Sequence, residues 1–363
     1  MVKQDREPGK PVRLRRQLLE WYARNRRDLP WRRSRDPYAV WVSEIMLQQT
    51  RVAVVVERYQ AFMERFPTLI SLALAPEQEV LALWSGLGYY GRARNLRKAA
   101  QYVADQHRGN LPATAAELRT LPGIGVYTAA AIASIAHGER VAVVDGNVER
   151  VLCRMAGWEA GNSGAALKRK IEELAAQMVD PRQPGEFNQA LMELGATVCL
   201  SRNPLCPACP FSTDCVTRGE HKTKPRSKML SKEVAHALSI RIGLQPGEAN
   251  RQVLLQQRPA SLTVMPGLWE LPALRDPAVP DRELRMTVRH AIMQVNYYVR
   301  IRTVFEDDVE AMIVPGGERR WIPLAVAAQM ALTGLARKVL TRARLLPTAS
   351  LDAIAPQPDG DVL

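Results

Sequence analysis

Four cysteines close together constrain this chain more than any other feature of its sequence. Cys199, Cys206, Cys209 and Cys215 follow the pattern C-x6-C-x2-C-x5-C, and the chain has only one further cysteine. Four thiolates this near in sequence can surround one metal centre, either zinc or an iron–sulfur cluster. Zinc sites usually pair two short C-x2–4-C turns, and only Cys206 and Cys209 form such a turn here. The spacing therefore favours a [4Fe–4S] cluster, with zinc and free thiols as the alternatives.

Length and composition limit the class of protein. The 363 residues are enough for about two or three domains, and a hydrophobic content of 47% provides for packed cores. No apolar run reaches the length of about 18 residues that a membrane-spanning helix needs. The charged N-terminus lacks the apolar segment of a signal peptide. We expect a cytoplasmic monomer, nucleoid-associated if bacterial, with reduced thiols rather than disulfides.

The charge of the chain is strongly positive. Its formal net charge is +13, and residues 1–36 hold twelve lysines and arginines against five acidic residues. Arginine forks suit phosphate oxygens, and a basic face is typical of nucleic-acid binding. The alternative is a protein with an ordinary basic surface.

The pattern of the chain changes once along its length. Short helical segments separated by proline and glycine predict an all-α core, and a polar, basic stretch then predicts a linker. Strand-like runs at 237–244, 253–257 and 297–305, followed by a helical stretch at 324–344, predict an α+β domain. The predicted boundaries are a disordered tail 1–11, a core 12–216, a linker 217–234, an α+β domain 235–345 and a disordered tail 346–363.

Two glycines lie in a turn between predicted helices. Gly123 and Gly125 let the backbone turn tightly and approach another chain, and the amides of the next helix start there. The segment looks like a helix-hairpin-helix motif, which binds the phosphate backbone without reading bases. An ordinary helix corner is the alternative.

Two carboxylates lie in suggestive settings. Glu44 sits on an apolar helix just before the polar triplet Gln48, Gln49 and Thr50, so it can act as a general acid if burial raises its pKa. Asp145 follows a short apolar segment and precedes a Gly-Asn pair, where it can also simply cap a helix.

An aromatic pair, Tyr89 and Tyr90, lies on a glycine turn beside Arg92. Such aromatics suit base stacking or insertion into a duplex, or else pack in a core.

Together these segments resemble the adenine DNA glycosylases of the MutY family, in the endonuclease III superfamily. The resemblance covers about residues 12–345. Its motifs occur in family order at 29–31, 43–50, 86–95, 121–128 and 144–148, followed by the four cysteines. It implies a helix-hairpin-helix glycosylase core with a [4Fe–4S] loop at 199–215, and a C-terminal Nudix-like domain that reads the lesion. The Nudix hydrolase glutamate motif is absent from the sequence, so pyrophosphatase activity is not expected.

The resemblance also implies a reaction. Adenine opposite 8-oxoguanine or guanine is flipped out of double-stranded DNA and removed by hydrolysis. Glu44 protonates adenine N7, and Asp145 stabilises or traps the sugar cation, with Tyr127 and Asn147 positioning them. Endonuclease III-like lyases carry a nucleophilic lysine where this chain has Tyr127, so a lyase step is not expected.

Roles in DNA recognition follow from the same resemblance. Tyr89 matches the residue wedged into the base stack, and Gln49 matches a gap-filling glutamine. The implied DNA contacts are Arg32, Gln48, Gln49, Thr50, Tyr89, Arg92, Gly123, Gly125 and Arg202.

One departure from the family concerns lesion reading. The usual His-x-Phe-Ser-His loop corresponds here to His290, Met293 and Gln294 in the stretch 290–294. A methionine cannot donate the serine hydroxyl hydrogen bond, so we expect weakened discrimination of 8-oxoguanine, unless Gln294 and its neighbours read the lesion differently. A non-catalytic Fe–S DNA-binding protein and a glycosylase for another mismatched base are the alternative functions.

Overall fold

The computed structural model describes residues 10–159, 164–221, 229–243, 251–292 and 294–347. Most of both predicted tails, the centre of the predicted linker and Met293 lie outside these residues. Within them, no helix is long and apolar enough to cross a membrane. Contacts divide the chain into two units, which are Met1–Leu74 with Asn95–Arg226, and Ala75–Arg94 with Ser227–Leu363.

The described part of the first unit is helical. Its helices are α1 (Lys10–Asn25), α2 (Pro37–Leu47), α3 (Val52–Arg65), α4 (Leu69–Leu74), most of α6 (Gly91–His107), α7 (Ala115–Leu118), α8 (Val126–His137), α9 (Gly146–Ala156), α10 (Ala165–Met178) and α11 (Pro184–Thr197). The short helix α5 (Glu77–Leu83) belongs to the second unit.

Helix α2 is the most deeply buried of the helices that form the site. Asp36 caps it by accepting a hydrogen bond from the Tyr38 amide, and Pro37 occupies its first turn, where a missing amide hydrogen costs nothing. Nine of its eleven residues are buried. It packs against α3 and the alanine-rich α8, whose small side chains permit a close approach.

Helix α11 crosses α8 at a glycine. A Cβ added at Gly185 would lie 2.6 Å from both Ile135 Cα and the Ser134 carbonyl oxygen, so only glycine permits this crossing. Beyond the crossing, α11 packs against α1 and α9 in a core that also includes α10. Because α11 packs against both α8 and α9, it fixes the two helices that carry candidate site residues.

The second unit contains two small sheets. Its strands are β1 (Leu230–Leu238), β2 (Ile240–Ile242), β3 (Arg251–Gln257), β4 (Trp269–Glu270), β5 (Leu284–Ile292), β6 (Val295–Thr303) and β7 (Arg319–Pro323). One sheet has the order β1-β6-β5, with β1 parallel and β5 antiparallel to β6. In the other, β3 pairs antiparallel with β2, β4 and β7.

Helix α12 (Val309–Met312) lies between β6 and β7, and α13 (Leu324–Gln329) and α14 (Gly334–Arg342) follow β7. A hydrophobic core joins both sheets to α13 and α14. The α+β character that the sequence predicts is therefore confirmed. The exact domain boundaries stay predictions. By its internal contacts, this unit also includes residues 75–94.

Two predicted elements differ from the structure. The predicted strand at 237–244 is instead the end of β1 and the whole of β2, separated by the fully buried Ser239 where the chain passes from one sheet to the other. The predicted helix at 324–344 is broken before α14. Its break forms because the Trp269 amide donates to Ala331 O and the Thr333 amide donates to Trp269 O, which ties the break to β4.

Candidate active site

A cavity of about 600 Å³ in the first unit gathers residues that are distant in sequence. Its walls come from the short 3-10 turn Pro30–Arg32, from α2 and α11, and from the starts of α3, α8 and α9. Eight of the predicted site residues line it: Arg32, Glu44, Gln48, Gln49, Thr50, Tyr127, Asp145 and Asn147. The fold therefore brings both predicted carboxylates into one cavity.

The carboxyl group of Glu44 is buried in a wall of this cavity, with only 6% of the residue exposed. Burial raises its pKa to about 7, and the negative charge of Asp145 acts in the same direction. The Tyr127 hydroxyl donates a hydrogen bond of 2.7 Å to Glu44 Oε2 and opposes that rise, as does the charge of Arg32. A carboxyl group in this state can hold or release a proton near neutral pH.

Asp145 has both oxygens engaged at the start of α9. The Val148 amide donates to Oδ1 at 2.7 Å, and Asn147 Nδ2 donates to Oδ2 at 3.0 Å. Asp145 is thus the N-cap of α9 and also lines the cavity. The helix-capping interpretation is therefore confirmed, and it is compatible with the functional one, because two fixed donors aim a carboxylate that also lines the cavity.

Arg150 supports Asn147 from behind, a feature that the sequence analysis missed. Its Nη2 donates to Asn147 Oδ1 at 2.8 Å and to Gly195 O at 2.7 Å, and its Nε donates to Cys199 O at 2.8 Å. One guanidinium therefore connects α9, the end of α11 and the cysteine loop. In the sequence, the only local indication of this contact was that Asn147 and Arg150 are three residues apart on one helix.

Glu193 was also missed. Its side chain is fully buried in the cavity wall and accepts hydrogen bonds of 2.7 to 3.1 Å from the amide, Nε and Nη2 of Arg27, and of 2.8 Å from Arg32 Nη2. Burial works against ionisation, yet the hydrogen bonds from both arginines lower the pKa of Glu193 to about 2. The sequence feature that could have indicated this buried ion pair is the position of Glu193 within the apolar run of α11.

The predicted hairpin turn is exposed at the start of α8. Gly123 adopts a positive φ of 76°, and a Cβ there would lie 2.7 Å from Asn95 Cβ, so the turn requires glycine. Gly125 is the N-cap of α8, and nothing lies within 4 Å of a Cβ built on it. The amides of the first turn of α8 and its positive dipole end therefore meet open space.

The four predicted metal-ligating cysteines, Cys199, Cys206, Cys209 and Cys215, line one small cavity together with Arg154. The buried Arg154 donates to Leu200 O at 2.6 Å and approaches Cys199 Sγ at 3.4 Å. In the described ranges, no three histidine, cysteine or acidic side chains form a group that could hold a single metal ion. Arg202 is exposed on the same loop.

The remaining predicted residues belong to the second unit. Tyr89 is 51% exposed, and Arg92 is partly buried beside it. His290 lies near the end of β5, and Gln294 lies in the turn before β6, where its carbonyl accepts from the Leu230 amide. Met293, between them, is outside the described residues.

Comparisons with known proteins place the chain in a family. Residues 42–177 match the model of the HhH-GPD superfamily of base excision DNA repair proteins. The human adenine DNA glycosylase is 39% identical over 323 residues, which are 74% of this chain and 59% of that protein. The rat enzyme is 51% identical over 210 residues, covering 55% and 41%, and the Arabidopsis thaliana enzyme is 40% identical over 301 residues, covering 72% and 47%. The chain spans about half the length of these relatives.

Solved structures agree on the helical unit. A thermostable thymine-DNA glycosylase superposes with a TM-score of 0.55 at 30% identity, covering 59% of this chain and 99% of that one. A trapped endonuclease III–DNA covalent intermediate superposes with a TM-score of 0.50 at 22% identity, covering 60% of this chain and 97% of that one. At this low identity, the match shows a shared fold alone. The first unit thus has the endonuclease III-like fold of a base excision repair protein. Within the HhH-GPD superfamily, the chain belongs to the adenine DNA glycosylase (MutY) family.

The buried state of Glu44 predicts a specific pH dependence of stability. Its pKa is raised from 4.5 to about 7 on folding, so the stability that it contributes is complete below pH 4.5 and is lost as pH rises through 7. Between pH 5 and pH 8, the wild type should lose up to about 3 kcal/mol of unfolding free energy relative to Glu44→Gln. Urea unfolding at both pH values measures this difference. The control is Glu173→Gln, an exposed site on α10. If the unfolding free energies of wild type and Glu44→Gln changed equally with pH, the raised pKa of the buried Glu44 carboxyl group would be contradicted.

Proposed function

We propose that this protein is a monofunctional adenine DNA glycosylase of base excision repair, acting on double-stranded DNA in which adenine faces 8-oxoguanine or guanine. The observation that carries the proposal is the pairing, in one cavity, of Glu44 with a pKa of about 7 and Asp145 with two fixed donors. Two carboxyl groups in such different environments support the roles of acid and cation stabiliser. The names of the curated relatives support adenine as the base.

The cavity suits a reaction on a flipped nucleotide. A base extruded from the stack enters the cavity, and Glu44 donates its proton to adenine N7 to make the base a better leaving group. Asp145 stabilises the developing sugar cation or traps it covalently before water completes hydrolysis. Tyr127 holds Glu44, and Asn147 holds Asp145, through the hydrogen bonds described above.

A lyase step is not part of the proposal. Tyr127 occupies the position where the lyases of the superfamily carry their lysine, and among the described residues that line the cavity there is no lysine. Without an amine among those lining residues, we do not propose a Schiff base with the abasic sugar in this cavity. Asp145 acts in a hydrolytic route.

Several surface features of each unit support DNA binding. The exposed hairpin with Gly123 and Gly125 offers amides to a backbone phosphate. Gln48, Gln49 and Thr50 line the cavity and follow α2 directly, where they can contact the opened duplex. The proposed role of Arg32 is electrostatic, and Arg202 on the cysteine loop offers a phosphate contact. The proposed wedge is Tyr89, with Arg92 beside it.

The cysteine loop fits the [4Fe–4S] cluster that this family is known for. All four cysteines line one cavity, and the Arg154 guanidinium at Cys199 Sγ can balance the charge of the thiolates. Cys199, Cys206, Cys209 and Cys215 would hold the cluster, which when bound supplies a cross-link of the loop rather than a step in base excision. Arg150 would then anchor that loop to Asn147 through Cys199 O and Asn147 Oδ1.

The second unit is proposed as a Nudix-like lesion-recognition domain. Its mixed sheet and flanking helices support this assignment. His290 near the end of β5 and Gln294 in the turn before β6 would face the base opposite adenine. The thymine-DNA glycosylase match covers only 59% of this chain. An added α+β unit thus separates this chain from that enzyme and supports a reader of the opposite base.

Removing the proposed acid should abolish excision. Glu44→Gln keeps the shape of the side chain but cannot donate a carboxyl proton, so single-turnover adenine excision should fall by a factor of about 10² to 10⁴ while duplex affinity changes little. Gel assays of an A:G duplex measure both quantities. Glu173→Gln serves as control, and strand nicking without alkali should be absent throughout. Excision near the wild-type rate in Glu44→Gln would refute the role of Glu44.

The altered lesion loop predicts weak discrimination. Because Met293 and Gln294 replace the usual serine and histidine, excision rates on 8-oxoguanine:A and G:A duplexes should lie within about tenfold of each other, a gap no larger than one lost hydrogen bond. Paired single-turnover assays measure the ratio. Met293→Ser should raise the preference for the lesion. A large preference in the wild type would show that Gln294 or another group reads the oxidised base.

The metal centre can be tested by its composition. The purified protein should contain about four iron and four sulfide per chain, with visible absorbance that Cys206→Ser diminishes. Cys153→Ser, outside the loop, is the matched control. Stoichiometric zinc without iron would overturn the cluster assignment while leaving the proposed glycosylase reaction intact.

A further inference from the structure

The tip of the glycine loop after α5 holds Tyr89 in an outward and strained position. Tyr89 is 51% exposed and has a φ of 47°, in the left-handed region that non-glycine residues rarely adopt. It lies between Gly88, with a φ of 70°, and Gly91. A conformation of this kind persists only when its surroundings fix it.

Part of that restraint comes from the loop itself. Arg92 Nη2 donates to Leu87 O at 3.0 Å and to Gly88 O at 3.1 Å, and Trp84 Nε1 also donates to Gly88 O at 3.1 Å. The Arg92 guanidinium lies 5.4 Å from the Trp84 ring centroid and 5.8 Å from that of Tyr89. The base of the loop is therefore rigid, but these contacts do not fix the loop to any other element.

Hydrogen bonds to residues far along the chain attach the Tyr89 loop to the rest of the second unit. Arg337 Nε on α14 donates to Ser85 Oγ at 2.8 Å, and the Tyr90 hydroxyl donates to Leu332 O at 3.1 Å. Arg94 Nη2 donates to Pro266 O at 2.6 Å. Ser85 and Tyr90 are buried, so water does not compete for their hydrogen bonds.

Arg337 is itself held in place. Its Nη1 donates to Ala328 O at 3.2 Å and its Nη2 to Met330 O at 3.1 Å, both at the break between α13 and α14. That break is tied to β4 through Trp269. A continuous set of hydrogen bonds thus runs from β4, through the break and Arg337, to the loop of Tyr89.

We propose that the second unit positions Tyr89 for insertion into the duplex, with Arg337 and Tyr90 as positioning residues. This inference rests on the proposed glycosylase function, and it gives the α+β unit a task separate from reading the base opposite adenine. Loss of either hydrogen bond frees the loop to move. Tyr89 then unstacks a paired base less often, whereas the chemistry at Glu44 is unchanged.

The test is a double-mutant cycle between Tyr89 and its anchors. Tyr90→Phe removes the hydrogen bond to Leu332 O, and Arg337→Met removes the one to Ser85 Oγ together with those to Ala328 O and Met330 O. Ser85→Ala removes the contact with Arg337 alone, and Arg342→Met, an exposed site on the same helix, is the control. Single-turnover excision is measured on an A:G duplex and on a duplex in which adenine faces an abasic site, where extrusion is easier. Fluorescence of 2-aminopurine beside the target adenine reports unstacking directly.

Tyr90→Phe and Ser85→Ala should each slow excision from the A:G duplex about fivefold, the effect of one lost buried hydrogen bond, and Arg337→Met should slow it at least as much. The change opposite the abasic site should be below about twofold, with 2-aminopurine fluorescence reduced in proportion to the A:G rate. Combined with Tyr89→Ala, an anchor variant should add no further loss, because both changes remove the same insertion.

Several results would overturn the inference: additive losses in the double variants, equal losses on both substrates, no loss in the anchor variants, or no effect of Tyr89→Ala. If Arg337→Met fails to fold, Ser85→Ala and Tyr90→Phe decide the matter. A wild type that excises no adenine would instead refute the proposed function, so the two failures are distinguishable.

Discussion

The burial of the Glu44 carboxyl group against Tyr127 is the constraint on which the candidate site depends. Taking a carboxyl group out of water is costly unless a partner satisfies it, and here one tyrosine hydroxyl at 2.7 Å does so. That contact requires α2 and the start of α8 to meet closely, which the alanines of α8 permit. The close crossing of α8 by α11 at Gly185 then holds α8 in this place.

Positive charge near this carboxyl group is held at fixed distances. The guanidinium of Arg32 lowers the pKa of Glu44, but Glu193 binds the same guanidinium and that of Arg27. A buried ion pair of this kind adds little to stability when burial costs are counted, so positioning is its main physical effect. The hydrogen bond to Glu193 therefore positions the Arg32 guanidinium, whose charge lowers the pKa of Glu44.

Local sequence patterns predicted the parts of the molecule that local physics determines. Helical spacing, the glycine turn, the cysteine spacing and the change to an α+β unit all have short-range signatures, and Glu44 and Asp145 stood out through their neighbours. Arg150 and Glu193 did not, because their partners on other elements define their roles. The switch between sheets at Ser239 was invisible for the same reason, since the run around it reads as one strand.

The side chain of Asp145 both caps a helix and lines the cavity. Its Oδ1 begins helix α9, while the same carboxylate faces the cavity. An alanine at this position would remove a charge and also uncap α9, at a cost of about 1 kcal/mol, whereas asparagine would retain the cap oxygen. Comparing the two replacements separates the electrostatic contribution of the residue from its architectural one. Because the backbone of α9 also presents Asn147 and Arg150, an uncapped start would loosen the connection to the cysteine loop together with the carboxylate.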